Sequence, residues 1–599
     1  MKLLDELLSR PASALSLAHI SLAFAGLMWV LPFLNYYHAY PLTTFYQEWG
    51  AAVLGLVAMI LLLTAGYWRK AEVPHIVLLP VALMLLVVVQ FALGKVVYFG
   101  QMLLYTLYLM WAALLIMLGA RLREELGLPA VVTVLAVFLL LGAELSAVIG
   151  LHQHFHWHSF LDRVVTAKVS SAVYGNIAQP NHYADYLALG LASLGLLYAR
   201  GALRVWQTTL LALPILFVLP LTGSRSTWYY MSALCALTAL WQWRNRDQRP
   251  LLYYSLLLLL GFALMHLVIQ LPGFAVETGA VNSVERMFSE DVQSGRIRLR
   301  LIPEAWLMFT HFPLLGAGFG QYAWQHYLLA PQLNNGLTGL YNNAHNLVMQ
   351  LAAEGGLAGL LVLFGTLLLW LRQAFRAERT IYHWWGYALL AVLAIHSMGE
   401  YPLWYAYFLG IAALVLGMLD GSRYRLELGV VGRVFVLLTL LLGAISLQQL
   451  MVGYRNIEML TALRPQSGND VAYYERMRDG LAAVQDQVLL QPYVDLYTSA
   501  RIEISPEHLA DKLRLNGDVV RFVPAAAEVY RQSLLLAQDG DLAAAQEQMA
   551  CAVWSYPGDF SMVEEMLRKL ALKDPAHFSA LLEFALQKQE EYQRAVHTK

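Results

Sequence analysis

"QMLLYTLYLMWAALLIMLGARLREELGLPAVVTVLAVFLLLGAELSAVIG" occupies residues 101–150, and its reading decides the fold. Two apolar runs, 101–120 and 129–150, flank Arg121 and Arg123. Each run is close to the ~20 residues that a helix needs to cross ~30 Å of hydrocarbon. The same pattern repeats outward in both directions. Apolar stretches lie near 13–34, 49–67, 76–93, 101–120, 129–150, 182–199, 205–221, 226–243, 251–270, 346–371, 382–398, 403–419 and 431–450. The connections between them alternate in charge. One set holds Lys2, Arg10, Arg69, Lys70, Arg121, Arg123, Arg200, Arg204, Arg244, Arg246, Arg249, Arg372, Arg376, Arg379, Arg423, Arg425 and Arg433, 17 cations in seven short segments. The short turns of the other set hold only Lys95 and Arg225. Cations stay on the cytoplasmic side, so the N-terminus is expected inside. An odd number of spans then puts everything after Leu450 outside.

Composition agrees with an all-α polytopic membrane protein of about thirteen transmembrane helices. The chain is 59% hydrophobic and 14% charged, with a mean hydropathy of +0.52, which excludes an ordinary soluble domain. Its net charge of −1 is uninformative about partners, because the charges are segregated by side. Cys235 and Cys551 give neither a disulfide framework nor metal-ligand spacing. The first apolar stretch is too long for a cleavable signal peptide, so none is expected.

The expected organisation is a transmembrane bundle over 1–270, a large outside loop over 271–345, further spans over 346–450, and an outside domain over 451–599. A shorter outside segment falls at about 151–181. Long segments of this kind are functional or disordered, and the aromatics, Pro and Gly of 271–345 argue for order. The tail holds 15 of the chain's 40 Lys and Arg and no run able to span. Within it, Gly540, Ala545, Ala552 and Pro557 follow the small-residue spacing of a tetratricopeptide unit, so a helical-hairpin, repeat-like domain is expected. One match leaves an unrelated small helical domain open.

Polar motifs concentrate at the outer boundary. Arg225 lies in "LTGSRSTWYY", where Gly223 and two serines make a donor-rich turn suited to an anion; a lone Arg at such a depth also snorkels to lipid phosphates. "SGRIRLRLIPEAWLMF" presents Arg296, Arg298 and Arg300 ahead of an expected amphipathic helix. They read either as the wet edge of a strand or helix, or as forks gathering a phosphate or pyrophosphate. His345 sits in "NNAHNLVMQLAAEGGLAGLL", where the outside loop re-enters the membrane. Flanked by Asn342, Asn343 and Asn346, it is either a capping residue or a proton acceptor working near neutral pH. "HSMGEYPLWYAYF" offers Glu400 and Tyr401 to orient an acceptor, with Trp404, Tyr405 and Tyr407 read as aromatic belt. "NIAQPNHYADY" offers Gln179, Asn181, His182 and Asp185 for hydrogen bonds to sugar or phosphate. "HQHFHWHSF" puts His152, His154, His156 and His158 at every second position; on a strand they would share one face. No nearby carboxylate or thiolate is expected there, so no metal site is expected. No P-loop, GxGxxG or HExxH motif is present, which disfavours nucleotide-driven transport. Nothing suggests nucleic-acid binding.

Taken together, "IPEAWLMFTHFPLLGAGFGQYAW", "NNAHNLVMQLAAEGGLAGLL" and "GSRS" resemble the O-antigen ligase and polymerase superfamily. "HAYPLTTFYQEWGA", "QPNHYADYLALG" and "HSMGEYPLWYAYFLG" resemble its protein-targeting O-oligosaccharyltransferases, the PglL type, over most of residues 25–420. The resemblance implies a GT-C-like O-antigen ligase fold in the bacterial inner membrane and a periplasmic C-terminal domain. It implies transfer of a preassembled glycan from undecaprenyl pyrophosphate to an acceptor protein such as pilin, with no cofactor. His345 corresponds to the family's essential histidine and Arg225 to its arginine after the Gly-Ser turn. Arg298 corresponds by counting back from Ala305 and Trp306, although Ile302 stands where the family carries an aromatic residue. On this reading Arg225 and Arg298 stabilise developing charge, and His345 is the general base. Glu400 or Tyr401 orients the acceptor, while Arg296, Arg300, Gln179, Asn181, His182 and Asn346 bind substrate. Two rival expectations remain: the same chemistry on a lipid A-core or glycan acceptor, and a transporter of lipid-linked saccharide.

Overall fold

The computed structural model describes residues 16–64, 66–244, 248–274, 293–334, 336–464 and 471–597. Lys2, Arg10 and Arg246 lie outside them, as does the side chain of Arg296. Helices stand on all of the expected apolar stretches. Among the described residues, eight are long and apolar enough to cross a membrane: Leu17–Leu34, Phe45–Leu63, His75–Ala92, Phe99–Leu126, Leu128–His154, Arg249–Val268, Leu347–Ala374 and Gly429–Ala462. Val205–Leu221 and Ala406–Leu419 are apolar but shorter. Pro180–Ala199, Ser226–Arg244 and Ile381–Ser397 complete the set; polar residues dilute the N-terminal turns of the first two. The all-α expectation needs one amendment. Ala71–Pro74 pairs antiparallel with Arg423–Leu426, in the register Ala71↔Leu426. Asp420 secures this ribbon, its carboxylate accepting from the N–H groups of Ile76 (2.9 Å) and Ser422 (2.9 Å).

The described chain forms two compact units. The first comprises Met1–Val81, Tyr108–Val292 and Phe364–Leu447. At its centre Pro180–Ala199 is buried along almost its whole length. Lipid is as apolar as leucine, so close approach and internal hydrogen bonds, not the hydrophobic effect, drive such packing. Two tyrosines show how. Tyr183 donates to the carbonyl of Ser146 (2.6 Å) and Tyr186 to that of Trp29 (2.8 Å). Both hydroxyls press on glycines of Leu128–His154: a Cβ at Gly150 would collide with Tyr183, and one at Gly142 with Tyr186. The segment 151–181 in this unit is tied down by two amides. Gln153 bonds Thr166 and both backbone groups of Gly175, and Asn176 bridges the carbonyls of Leu34 and Val164.

The second unit comprises Ala82–Leu107, Gln293–Leu363 and Gln448–Lys599. Residues 293–345 of the expected loop share this unit with the tail. Tyr327 donates to the carbonyl of Gln548 (2.8 Å), and the Gly339 N–H to that of Ser555 (2.8 Å). The last apolar helix also runs past residue 450, continuing to Ala462. In the tail, Ala526–Gln538 and Leu542–Ser555 form the expected helical hairpin, with Ala545 and Ala552 fully buried and Gly540 at φ 87 ending the first helix. A left-handed residue at that position favours glycine.

Leu347–Ala374 is broken. Gly356 adopts φ 61, ψ −156, a conformation open essentially to glycine alone. The break frees carbonyls on one side and N–H groups on the other, and unsatisfied groups at membrane depth cost several kcal/mol each. The segment Pro313–Gly318 satisfies them. Ala317 and Gly318 donate to the carbonyls of Ala353 (2.9 Å) and Glu354 (3.1 Å), while Leu357 and Ala358 donate to those of Pro313 (2.8 Å) and Leu314 (3.0 Å). Gln90 braces the joint, donating to the carbonyls of Leu315 and Glu354 and accepting from Phe319. Lys95 donates to the carbonyl of Gly316 (2.8 Å). The expectation that glycines 355, 356 and 359 serve close packing is thus refined: Gly356 makes a gap that another segment fills. Gly356→Ala is expected to destabilise the protein by about 3 kcal/mol, seen as a lowered unfolding midpoint in detergent. An unchanged midpoint would contradict the broken-helix geometry.

Candidate functional site

In the first unit, one end of the bundle gathers most of the expected polar residues. Pro180 opens its helix, and Gln179 caps it by accepting from the His182 N–H at 2.5 Å; Pro at the first helical position and a side-chain acceptor before it are both favoured. The cap aims Asn181 at Glu400, whose carboxylate accepts from the amide at 2.7 Å. Glu400 is buried, and its N–H closes the end of Ile381–Ser397 on the carbonyl of His396 (2.8 Å). The His182 ring packs against Tyr405 at 4.8 Å, His396 at 5.1 Å and Tyr401 at 6.3 Å, and its buried Nε2 has no hydrogen-bond partner.

Sequence reasoning missed His396. Its Nδ1 lies 2.8 Å from Asp185 Oδ2, and neither side chain touches solvent. Its position four residues before Glu400, at the end of a helix, was the available signal. Tyr230, in the second turn of Ser226–Arg244, brings its ring within 6.2 Å of His396. The turn carrying Arg225 therefore stands at the same end as Asn181 and Glu400. Gly223 takes φ 63 there, Thr222 bonds the Leu219 carbonyl and the Ser224 N–H, and the buried Ser224 hydroxyl has no hydrogen-bond partner. Arg225 itself is half-buried. Trp404 is exposed, whereas Tyr407, also expected in the aromatic belt, is buried against Phe33 at 5.0 Å. Glu48 and Tyr108 hold this turn, bonding the Ala406 N–H (2.6 Å) and the Leu403 carbonyl (3.0 Å).

In the second unit, His345 adopts φ 48, a left-handed conformation that costs a non-glycine residue roughly 1–2 kcal/mol. Side chains enforce it. The His345 N–H donates to Asn343 Oδ1 (3.0 Å) and the Ala344 N–H to Gln350 Oε1 (2.8 Å). Asn346 Oδ1 accepts from the N–H groups of Val348 and Met349, both at 3.1 Å. This oxygen of Asn346, expected to bind substrate, caps the helix. The imidazole is half-buried. Ala344 beds into a cluster with Leu301, Ala305, Met308 and Tyr322, so the helix Gln293–His311 supports the histidine loop. A second unforeseen pair lies beneath it: Glu304 Oε1 and His326 Nδ1 are 2.6 Å apart and buried, with the His326 ring 5.2 Å from Tyr341.

Arg296, Arg298 and Arg300 stand within Gln293–His311, not ahead of it. Alternate helical residues point ~200° apart, so Arg298 faces away from Arg300. Arg298 is half-buried and Arg300 exposed. Arg298 and Arg300 do not gather as one phosphate fork. The histidine series is likewise not a strand. His152 and His154 end the helix Leu128–His154, and Asp162 supplies the carboxylate not expected there, 3.0 Å from His152 Nε2. Among the described residues, no three His, Cys, Asp or Glu side chains gather as a metal site.

Three family descriptions match successive parts of the chain: "Protein glycosylation ligase" over residues 173–198, "O-Antigen ligase" over 209–364, and "Virulence factor membrane-bound polymerase, C-terminal" over 384–570. Two relatives from Acinetobacter baylyi are similar. The chain is 26% identical to a general O-oligosaccharyltransferase over 425 residues, 68% of this chain and 72% of the relative. It is 20% identical to a ComP-specific O-oligosaccharyltransferase over 387 residues, 64% and 68% respectively.

Proposed function

We propose that this chain, a glycosyltransferase-type enzyme similar to the O-antigen ligases and protein glycosylation ligases, transfers a preassembled oligosaccharide en bloc from undecaprenyl pyrophosphate to Ser or Thr hydroxyls of exported proteins such as pilin. The site faces the periplasm of a bacterial inner membrane crossed thirteen times, with the N-terminus inside and the repeat-like tail outside. The observation that carries the reading is His345, held in a strained left-handed backbone by Asn343, with Gln350 fixing the adjacent Ala344. Strain kept at one exchangeable side chain is a mark of functional positions.

In the reaction the acceptor oxygen attacks the anomeric carbon as the bond to the pyrophosphate oxygen breaks. The acceptor proton passes to His345, and undecaprenyl pyrophosphate departs with the bonding electrons. Direct attack inverts the anomeric centre. Pyrophosphate is itself a good leaving group, and Arg225 and Arg298 are assigned to the charge that develops as it departs. Glu400, fixed by Asn181, and Tyr401 orient the acceptor. The names of the two relatives support a protein acceptor. The "O-Antigen ligase" and "polymerase" matches favour a second reading with a lipid A-core or glycan acceptor. Purified enzyme given lipid-linked glycan and either pilin or lipid A-core decides between them: glycosylated pilin alone is expected, and transfer only to lipid A-core would overturn the first reading.

A further inference from the structure

A cleft of about 180 Å³ opens in the unit that carries the tail. Its walls come from three parts of the sequence: Arg300 on Gln293–His311, Asn334 and Thr338 at and beyond the end of Tyr322–Leu333, and Trp554 and Tyr592 from the tail. Arg300 is expected above to bind substrate; the other side chains have no role in the transfer step proposed above. The frame is fixed by the bonds of Tyr327 to Gln548 and of Gly339 to Ser555. Gly336, at φ 71, keeps the wall open beside Arg300, since a Cβ there would come within 3.2 Å of Arg300 Nη1.

The lining is chemically narrow. The Trp554 and Tyr592 rings meet edge to face at 5.4 Å and 84°, and each combines an apolar ring with a polar tip. Around them stand one amide, one hydroxyl and one guanidinium, with the aliphatic side chains of Ala330, Leu337, Ala595 and Val596 completing the wall. Burial holds the Tyr592 phenol above its usual range, so it stays neutral and able both to donate and to accept. A nucleic acid would call for several cations along its backbone, and the cleft has one. At about 180 Å³ the space falls short of the ~300 Å³ at which whole small-molecule pockets begin, so it suits one ring of a longer ligand. A pyranose has the matching form, an apolar face rimmed by hydroxyls. We propose that this cleft is a saccharide subsite that holds one sugar ring of the glycan, with Arg300 selecting a ring that bears a carboxylate, which its planar fork engages in two parallel bonds. The source of the ring rests on the oligosaccharyltransferase reading above.

The test uses the full-length protein in detergent and saturation-transfer NMR with two free probes, a glucuronic-acid-containing oligosaccharide and its glucose counterpart. The wild type is expected to saturate ring protons of both and to bind the acidic probe more tightly. Trp554→Ala and Tyr592→Ala should abolish the signal, with Trp554→Phe restoring it. Arg300→Gln should weaken the acidic probe about tenfold while sparing the neutral one. If Trp554→Ala fails to fold, the Arg300→Gln and Trp554→Phe pair carries the test. No saccharide signal in the wild type, equal signals in wild type and Trp554→Ala, or displacement of the saccharide by an acceptor peptide would overturn the subsite. Saccharide binding without any glycan transfer would retain the subsite and overturn the oligosaccharyltransferase reading instead.

Discussion

His345→Ala abolishes glycan transfer to below about one hundredth of the wild-type rate while the protein accumulates and unfolds normally: that is the largest functional effect expected in this chain. A positioned general base contributes roughly 10²–10⁴-fold. The imidazole is half-buried, so its loss removes little packing. Alanine also keeps the Asn343 and Asn346 bonds, because these involve the backbone. Mass spectrometry of a co-expressed pilin, with immunoblotting for enzyme level, reads both quantities. Wild-type-like glycosylation by the variant would remove His345 from the mechanism.

The largest effect on stability is expected from the Asp185–His396 pair. Both groups are wholly enclosed, 2.8 Å apart. Removing one partner from such a pair strands the other in a low dielectric, at a cost of about 3–5 kcal/mol. His396→Ala should therefore lower the unfolding midpoint far more than His345→Ala. Because His396 also packs on His182 at 5.1 Å and its helix end carries Glu400, any protein that survives should transfer glycan poorly. The double change Asp185→Asn with His396→Gln replaces the pair by two amides of similar size, and should recover most of the lost midpoint. If single and double variants unfold together, the pair contributes nothing as a unit.

Much of the helical architecture was legible because apolar runs and flanking cations are local signals. The ribbon of Ala71–Pro74 with Arg423–Leu426 was not, since each strand has four residues and the partners are remote in sequence. The arginines of "SGRIRLRL" alternate with apolar residues in a way that suits strand or helix alike, and only the helix separates Arg298 from Arg300. The motif containing His182 and Asp185 and the one ending in Glu400 were each visible; that they meet through His396 is a fact of packing. The spacing of Gly540, Ala545 and Ala552 forecast the tail hairpin, because small buried residues leave a periodic trace. Asn346 was visible as a polar neighbour of the histidine, but its capping bonds depend on where the helix starts.

The joint between Gly356 and Pro313–Gly318 has an evolutionary corollary. Two stretches some forty residues apart complete one another's main chain, so neither can be swapped alone. A chimera that takes either stretch from a distant relative inherits half of a mortise without its tenon. Exchange should succeed only when both travel together, whatever happens to the variable chain between them.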